Sequence, residues 1–443
     1  MKKIILLTAA LTFALSGFAQ ESFKDRLKRK LEEAKDKKID NTIDKILTKS
    51  EEKLDKTVND IAEGDGKGNR SSTKSTSTGN KIASTAPAES KTVGFSKISV
   101  ASKFDFIPGE KVLYYDDFST TSVGDFPLGW NTNSSAELVN LSGSEDKWLS
   151  ITKDGFFQPD LVTNMPDNYT LEFNVFNRYR SSNILRYSFI ISASENARRD
   201  ISEEYLPNMF AFNWAGCAGT ADFFVKENDE VVLKNEGINI AALASNSAAY
   251  DEPVFAKFSL WRQKSRLRLY INETKVLDIP QAFDPKKKYN VFKIGAKYMN
   301  YTTADSKDEF MLANIRYSVG APDTRNKLIT EGKLITRGIL FDVNSDEIKP
   351  ESNGVLKDIA NVLKENPSVK VKIIGHTDSD GDANLNLSLS KKRADAVKAS
   401  LTSVFGIDAN RFVTDGKGAT QPSDPNTTPQ GKANNRRVEF IKL

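Results

Sequence analysis

From Phe104 to Gly320, apolar residues recur at every second position in many short runs. The clearest is "RLRLYINETKVLDIP", where Leu267, Leu269 and Ile271 alternate with Arg266, Arg268 and Tyr270. Successive side chains of a strand point to opposite faces, so a period of two commits each run to a half-buried strand. "KWLSITK", "YTLEFNVFN" and "RYSFIIS" repeat the pattern. Gln263–Arg266 and Asn272–Lys275 read as the turns on either side of one strand. Many short strands with little helix predict an all-β sandwich of the jelly-roll kind over 104–320.

The rhythm changes after a junction at 321–330. Over 331–443, strands alternate with helices, which predicts an α+β two-layer domain. "ITRGILFDVNSDEI" reads as a strand running into a turn. "SNGVLKDIANVLKENP" places Val355, Leu356, Ile359, Val362 and Leu363 on one helical face and ends at Pro367. "SVKVKIIGHTD" is a strand, and "SLSKKRADAVKASLTSVFG" a helix that stops at Gly406. "RFVTDGKGA" and "RRVEFIKL" are the last strands.

The opening "MKKIILLTAALTFALSGFAQ" has two lysines, a short apolar run and small residues Gly17 and Ala19. It predicts a signal peptide over 1–19 and export to the periplasm. Residues 20–63 carry acidic and basic residues in equal number and one narrow apolar stripe through Leu27, Leu31, Leu47, Leu54 and Ile61. They predict a charged amphipathic helix. Such a helix is either a solvated rod with charges paired along it or a seam that joins copies of the chain into a homo-oligomer. Residues 64–103 are rich in Ser, Thr, Gly and Lys and read as a flexible linker. Lys+Arg 63 against Asp+Glu 59 offers no basic face for nucleic acid. No later segment has the roughly 18 apolar residues of a spanning helix. Cys217 is the only cysteine and excludes an internal disulfide.

Chemistry concentrates in "IIGHTDSDGDANLNLSLSKKRADAV", Ile373–Val397. It holds His376, the only histidine, and Asp378, Asp380 and Asp382 beside Lys391, Lys392 and Arg393. A helix–loop–helix calcium loop needs Gly at its sixth position and Glu at its twelfth. Counted from Asp378, Gly381 is fourth and Leu389 twelfth, so the match fails. One histidine cannot furnish a zinc ligand set or a hydrolytic triad without His or Cys partners nearby. The remaining reading is a pocket. Asp378 follows a strand end, and Arg393 lies on the next helix. A carboxylate and a guanidinium facing one cleft suit a zwitterion, the Asp taking its ammonium and the Arg its carboxylate; a surface ion pair is the plainer alternative. Asp380 and Asp382 read as a solvated loop.

Two resemblances bear on these segments. "RLRLYINETKVLDIP" and "YYDDFSTTSVGDFPLGW" resemble strands of concanavalin-A-like and laminin-G-like sandwiches. "ILFDVNSDEI", "IIGHTDSDGDANLNLSLSKKRADAV" and "ANNRRVEF" resemble the C-terminal OmpA-like domain of Gram-negative envelope proteins. The second likeness implies peptidoglycan binding through the diaminopimelate of the stem peptide. It implies Asp378 and Arg393 as the key ligands, with Thr377, Asn386 and Arg436 in support. Phe341, Asp342 and Asn344 would line the first strand-turn. No cofactor or metal is implied, and Asp380 and Asp382 are not fixed ligands of that pattern.

The expected function is non-covalent wall binding that tethers an exported sandwich to the envelope, with no enzymatic activity. The alternative is a wall-targeted glycoside hydrolase or a glycan-binding lectin acting through the sandwich. A sandwich glycosidase needs two carboxylates flanking its cleft. The pattern Glu-x-Asp-x-x-Glu is absent from 104–320, and "YTLEFNVFN" offers a lone Glu172. An envelope protein or surface glycan is the further partner class for the sandwich or the helix. A membrane barrel would require outward apolar residues on every strand, which these charged strands lack.

Overall fold

The computed structural model describes residues 104–443 except 161–164, 180–184, 217, 246–251, 300–307 and 321–322. The signal peptide, charged helix and linker expected over 1–103, and Cys217, lie outside the described residues.

The alternating runs form two antiparallel sheets. One has the order β13 (Thr274–Ile279), β12 (Arg266–Ile271), β11 (Val254–Gln263), β6 (Asn168–Arg178), β15 (Glu309–Val319), β4 (Lys147–Ile151) and β3 (Ala136–Asn140). β1 (Lys111–Asp116) also pairs with β15. The other has the order β10 (Glu230–Ala244), β9 (Ala218–Glu227), β8 (Met209–Ala215), β7 (Arg186–Ser192), β14 (Val291–Lys297), β5 (Gly155–Pro159) and β2 (Trp130–Thr132). Their inner faces share one core. Phe173 and Phe258 of the first sheet stack with centroids 5.0 Å apart. Phe189 of the second meets Phe173 edge-on at 6.2 Å. Such rings supply the largest apolar areas a core can bury. The two expected turns are present: Lys264 and Asn272 adopt φ of 55° and 51° at the ends of β12.

Leu267, Leu269 and Ile271 face this core and are fully buried. Tyr270, on the opposite face, is buried as well, because Phe104 and Phe106 lie across it together with Trp261. Its hydroxyl donates to Asp105 Oδ1 at 3.0 Å. Residues 104–108 are therefore a strap over the outside of the sandwich. The strap also reaches the C-terminal segment. Ile107 packs on the second core. At Gly354 a Cβ would lie 2.3 Å from the carbonyl oxygen of Phe106, so only glycine permits that approach.

The C-terminal sheet has the order β16 (Lys333–Thr336), β19 (Val438–Lys442), β17 (Val371–Gly375) and β18 (Phe412–Gly416); β17 and β18 are parallel. Helix α1 (Asn353–Glu365) buries the apolar stripe read from the sequence. Helix α2 (Ala383–Ser403) starts five residues before the expected "SLSKK", because Asp382 caps it by accepting from the amides of Asn384 and Leu385. Its first turns carry exposed Leu385 and Leu387, so no apolar face announced them. "ILFDV" is not strand, as expected, but a loop closed by one bridge between Phe341 and Ile348. Helix α3 (Pro429–Asn435) precedes β19. Among the described residues, no helix is long and apolar enough to cross a membrane.

Candidate ligand-binding site

The site forms where β17 ends against α2. A Cβ on Gly375 would lie 2.1 Å from the carbonyl oxygen of Ser390, so glycine is what lets the strand end approach the helix. The next three residues are pinned on both sides. His376 N donates to Arg437 O at 3.0 Å, and Thr377 N donates to Gly418 O at 3.1 Å. Asp378 is thereby held at the strand end, only 9% exposed.

Asp378 Oδ2 accepts from Arg436 Nη1 at 2.6 Å, and Oδ1 accepts from the Asp380 amide at 3.2 Å. Its ion-pair partner is thus Arg436 rather than Arg393. Arg393 donates from Nε to Ser345 O at 2.9 Å and from Nη2 to Asp342 O at 3.2 Å. Its guanidinium lies 4.9 Å from the centre of the Phe341 ring. Burial lowers the Arg393 pKa, Asp378 raises it, and Arg436 lowers it further, so the three groups share one local field. Asp346 also acts on Arg393, raising its pKa, and backbone oxygens alone accept hydrogen bonds from Arg393 among the described residues. Beside them the Thr377 hydroxyl is buried with no partner.

The other residues indicated by the sequence serve in different ways. Phe341 floors Arg393. Asp342 contributes its carbonyl, while its carboxylate turns to Lys349 at 2.9 Å. Asn344 is exposed and supplies a left-handed turn at φ 53° rather than a contact. Asn386 donates from Nδ2 to Asp380 O at 2.7 Å and ties the acidic loop to α2. Asp380 and Asp382 are more than a solvated loop: Asp380 pairs with Lys432 at 2.8 Å, and Asp382 caps α2.

His376 sits behind the site, not in it. It is 3% exposed, with Nε2 3.5 Å from Glu439 Oε1. Glu439 is also held by Arg437 at 2.8 Å and Lys333 at 2.8 Å. Burial pushes the His376 pKa down to about 4, with Arg437 acting in the same direction. Among the described residues, no group of three or more His, Cys, Asp or Glu side chains is placed to hold a metal ion.

Three contributors carried no signal in the sequence. Ser345 acts through its carbonyl, which any residue possesses. Lys432 sits in a polar run. Tyr115 belongs to β1 of the sandwich, yet the Arg436 guanidinium lies over its ring at 5.7 Å.

Residues 340–436 match the OmpA family model. This stretch is an OmpA family domain. Relatives align with it and not with the whole chain. Probable lipoprotein YiaD of Escherichia coli (strain K12) is 46% identical over 102 residues, which is 23% of this chain and 46% of that protein. Outer membrane porin F of Pseudomonas aeruginosa is 37% identical over 101 residues, 23% of this chain and 29% of that protein. The chain thus spans less than half the length of these curated relatives. Among solved structures, the peptidoglycan-associated lipoprotein of Burkholderia pseudomallei is 26% identical, covers 27% of this chain and 98% of its own, and has a TM-score of 0.24. Asp378, Arg393 and Arg436 all lie within residues 340–436.

Proposed function

We propose that the OmpA family domain binds peptidoglycan non-covalently by gripping the amino-acid head of diaminopimelate in the stem peptide. The observation that carries this reading is the cluster itself. Arg393 is held in place by two backbone carbonyls and a ring, with no carboxylate on it, while a buried Asp378 lies within its electrostatic reach. A carboxylate would take the free edge of Arg393 in planar, charge-assisted fashion, and the adjoining ammonium would take Asp378. Asn386 and Arg436 hold the Asp378 side; Phe341, Asp342 and Asn344 shape the Arg393 side. The chemistry is binding alone, with no cofactor and no bond made or broken.

In this reading the protein is exported to the periplasm and tethers its sandwich, of concanavalin-A-like type over 104–320, to the wall through 331–443. Pull-down of the full chain on purified sacculi tests it. Retention of wild type with loss of Asp378→Asn is expected; equal retention of both overturns it.

A glycan-binding role for the sandwich is the second reading. Its support is a cavity of about 370 Å³ on the first sheet, lined by Asp146, Trp148, Asn174, Lys257 and half-exposed Phe255. Glycosidase chemistry has less support. Burial raises the Glu172 pKa, but Lys257, at 3.0 Å, and Arg316 hold it below the usual carboxylate range, which is the wrong direction for a general acid.

A further inference from the structure

The OmpA family domain is joined to the sandwich by specific bonds beside its candidate site. The side chain of Asn434, fully buried in α3, exchanges two hydrogen bonds with the backbone of Val112 in β1: Val112 N donates to Oδ1 at 3.1 Å, and Nδ2 donates to Val112 O at 2.9 Å. Arg337 donates from Nη1 to Glu110 O at 2.5 Å and from Nε to Asn434 O at 3.0 Å. These bonds fix the end of α3 on β1 two residues before Arg436. In the same strand, the Tyr115 ring lies against Arg436 on one side of that guanidinium while Asp378 takes another. The Tyr115 hydroxyl donates to Asn314 Oδ1 at 3.2 Å, which sets the ring's orientation from within the sandwich. Burial, against the opposing pull of Arg436, lifts the phenol pKa to about 12, so the ring stays neutral at physiological pH.

We propose that the site is built by two domains: Tyr115 of the sandwich is a positioning residue that orients Arg436 and, through it, Asp378. The physical reason is the freedom of Arg436. Its side chain is 40% exposed, and a long exposed side chain loses rotamer entropy when it is held in one geometry. The aromatic face lowers that cost by favouring one placement of the cation. With Arg436 oriented, the Asp378 carboxylate is held towards the ligand's ammonium. Without the ring, Arg436 samples solvent, and ammonium recognition by Asp378 weakens more than carboxylate recognition by Arg393.

This inference rests on the diaminopimelate reading for its ligand but not for its geometry, and the test separates the two. The full chain carrying Tyr115→Phe, Tyr115→Leu or Arg436→Ala is titrated with a stem peptide ending in diaminopimelate and with the same peptide acetylated at that residue's amine. Tyr115→Leu should bind the free-amine form about three- to ten-fold more weakly and the acetylated form almost unchanged. Tyr115→Phe, which keeps the ring but loses its tie to Asn314, should bind more tightly than Tyr115→Leu. Full affinity in Tyr115→Leu alongside loss in Arg436→Ala overturns the proposal. Equal loss for both peptides does so too, since that marks general damage. If wild type binds neither peptide, the peptidoglycan reading falls, and a ligand-free measurement decides the role of Tyr115. The Arg436 side-chain NMR resonance should be shifted upfield by the ring in wild type and Tyr115→Phe, and should lose that shift in Tyr115→Leu. The same shift in all three overturns the proposal.

Discussion

At the scale of single residues, the site depends on groups that cannot substitute for one another. Asp378→Asn keeps the shape of the side chain but leaves Arg436 without its counter-charge. Arg393→Lys keeps the charge but not the planar fork that reaches Ser345 and Asp342. Each should cost about 2–5 kcal/mol of affinity for a diaminopimelate peptide by calorimetry if the pair is desolvated on binding, while Asp380→Asn, at a carboxylate 63% exposed, should cost far less. His376 predicts a pH dependence of stability. Its pKa falls from 6.5 to about 4 on folding. A depressed base favours the fold fully above pH 6.5, and that contribution is lost as pH falls towards 4. Urea unfolding should therefore show stability dropping by up to about 1.4 kcal/mol per pH unit within that window, and His376→Gln should flatten the slope. Asp378 and Arg393 could be named together from the sequence because a short motif contains both. The Arg436–Asp378 pair spans 58 residues, and nothing in local spacing encodes a pairing across that distance.

Elements are positioned by close approach more than by propensity. Gly375 is the sharpest case. Gly375→Ala sets a methyl group against the carbonyl of Ser390, in backbone that cannot rotate away. It should destabilise the protein by about 1–3 kcal/mol, measured by denaturant midpoint, and should weaken ligand binding by moving Thr377 and Asp378 off α2. Helix α1 was plain in the sequence because its apolar spacing matches one buried face. The start of α2 was not, since Leu385 and Leu387 point to solvent and a capping aspartate reads equally well as part of an acidic loop. "ILFDV" misled for a related reason: Ile339 and Phe341 pack on the second core through one bridge without joining a ladder, and Val343 is exposed. In the sandwich, the period of two located strands and turns, but it could not show that the outward Tyr270 would be covered, because the cover comes from a distant part of the chain.

For the whole molecule, the C-terminal unit is not bounded by its own sequence. A fragment beginning at residue 326 lacks Phe106, Ile107 and Val112, which approach Gly354, the second core and Asn434. Its urea midpoint should lie below that of the full chain, and fusing residues 104–112 to the fragment should recover part of the difference. Asn434→Ala in the full chain leaves the Val112 N–H unpaired and its carbonyl with only the 3.4 Å bond from Gln430 Nε2, and should cost about 1–3 kcal/mol. The strap also sets how mechanical load would travel. If the wall grips Arg393 and tension enters at residue 104, the pull reaches Phe104 and Phe106 before any strand of either sheet. Those two rings would lift from Tyr270 and Trp261 one after another, as in peeling, while the β1–α3 joint would be sheared along its length. Peeling yields at lower force than shearing, so under that load the strap would part before the β1–α3 joint.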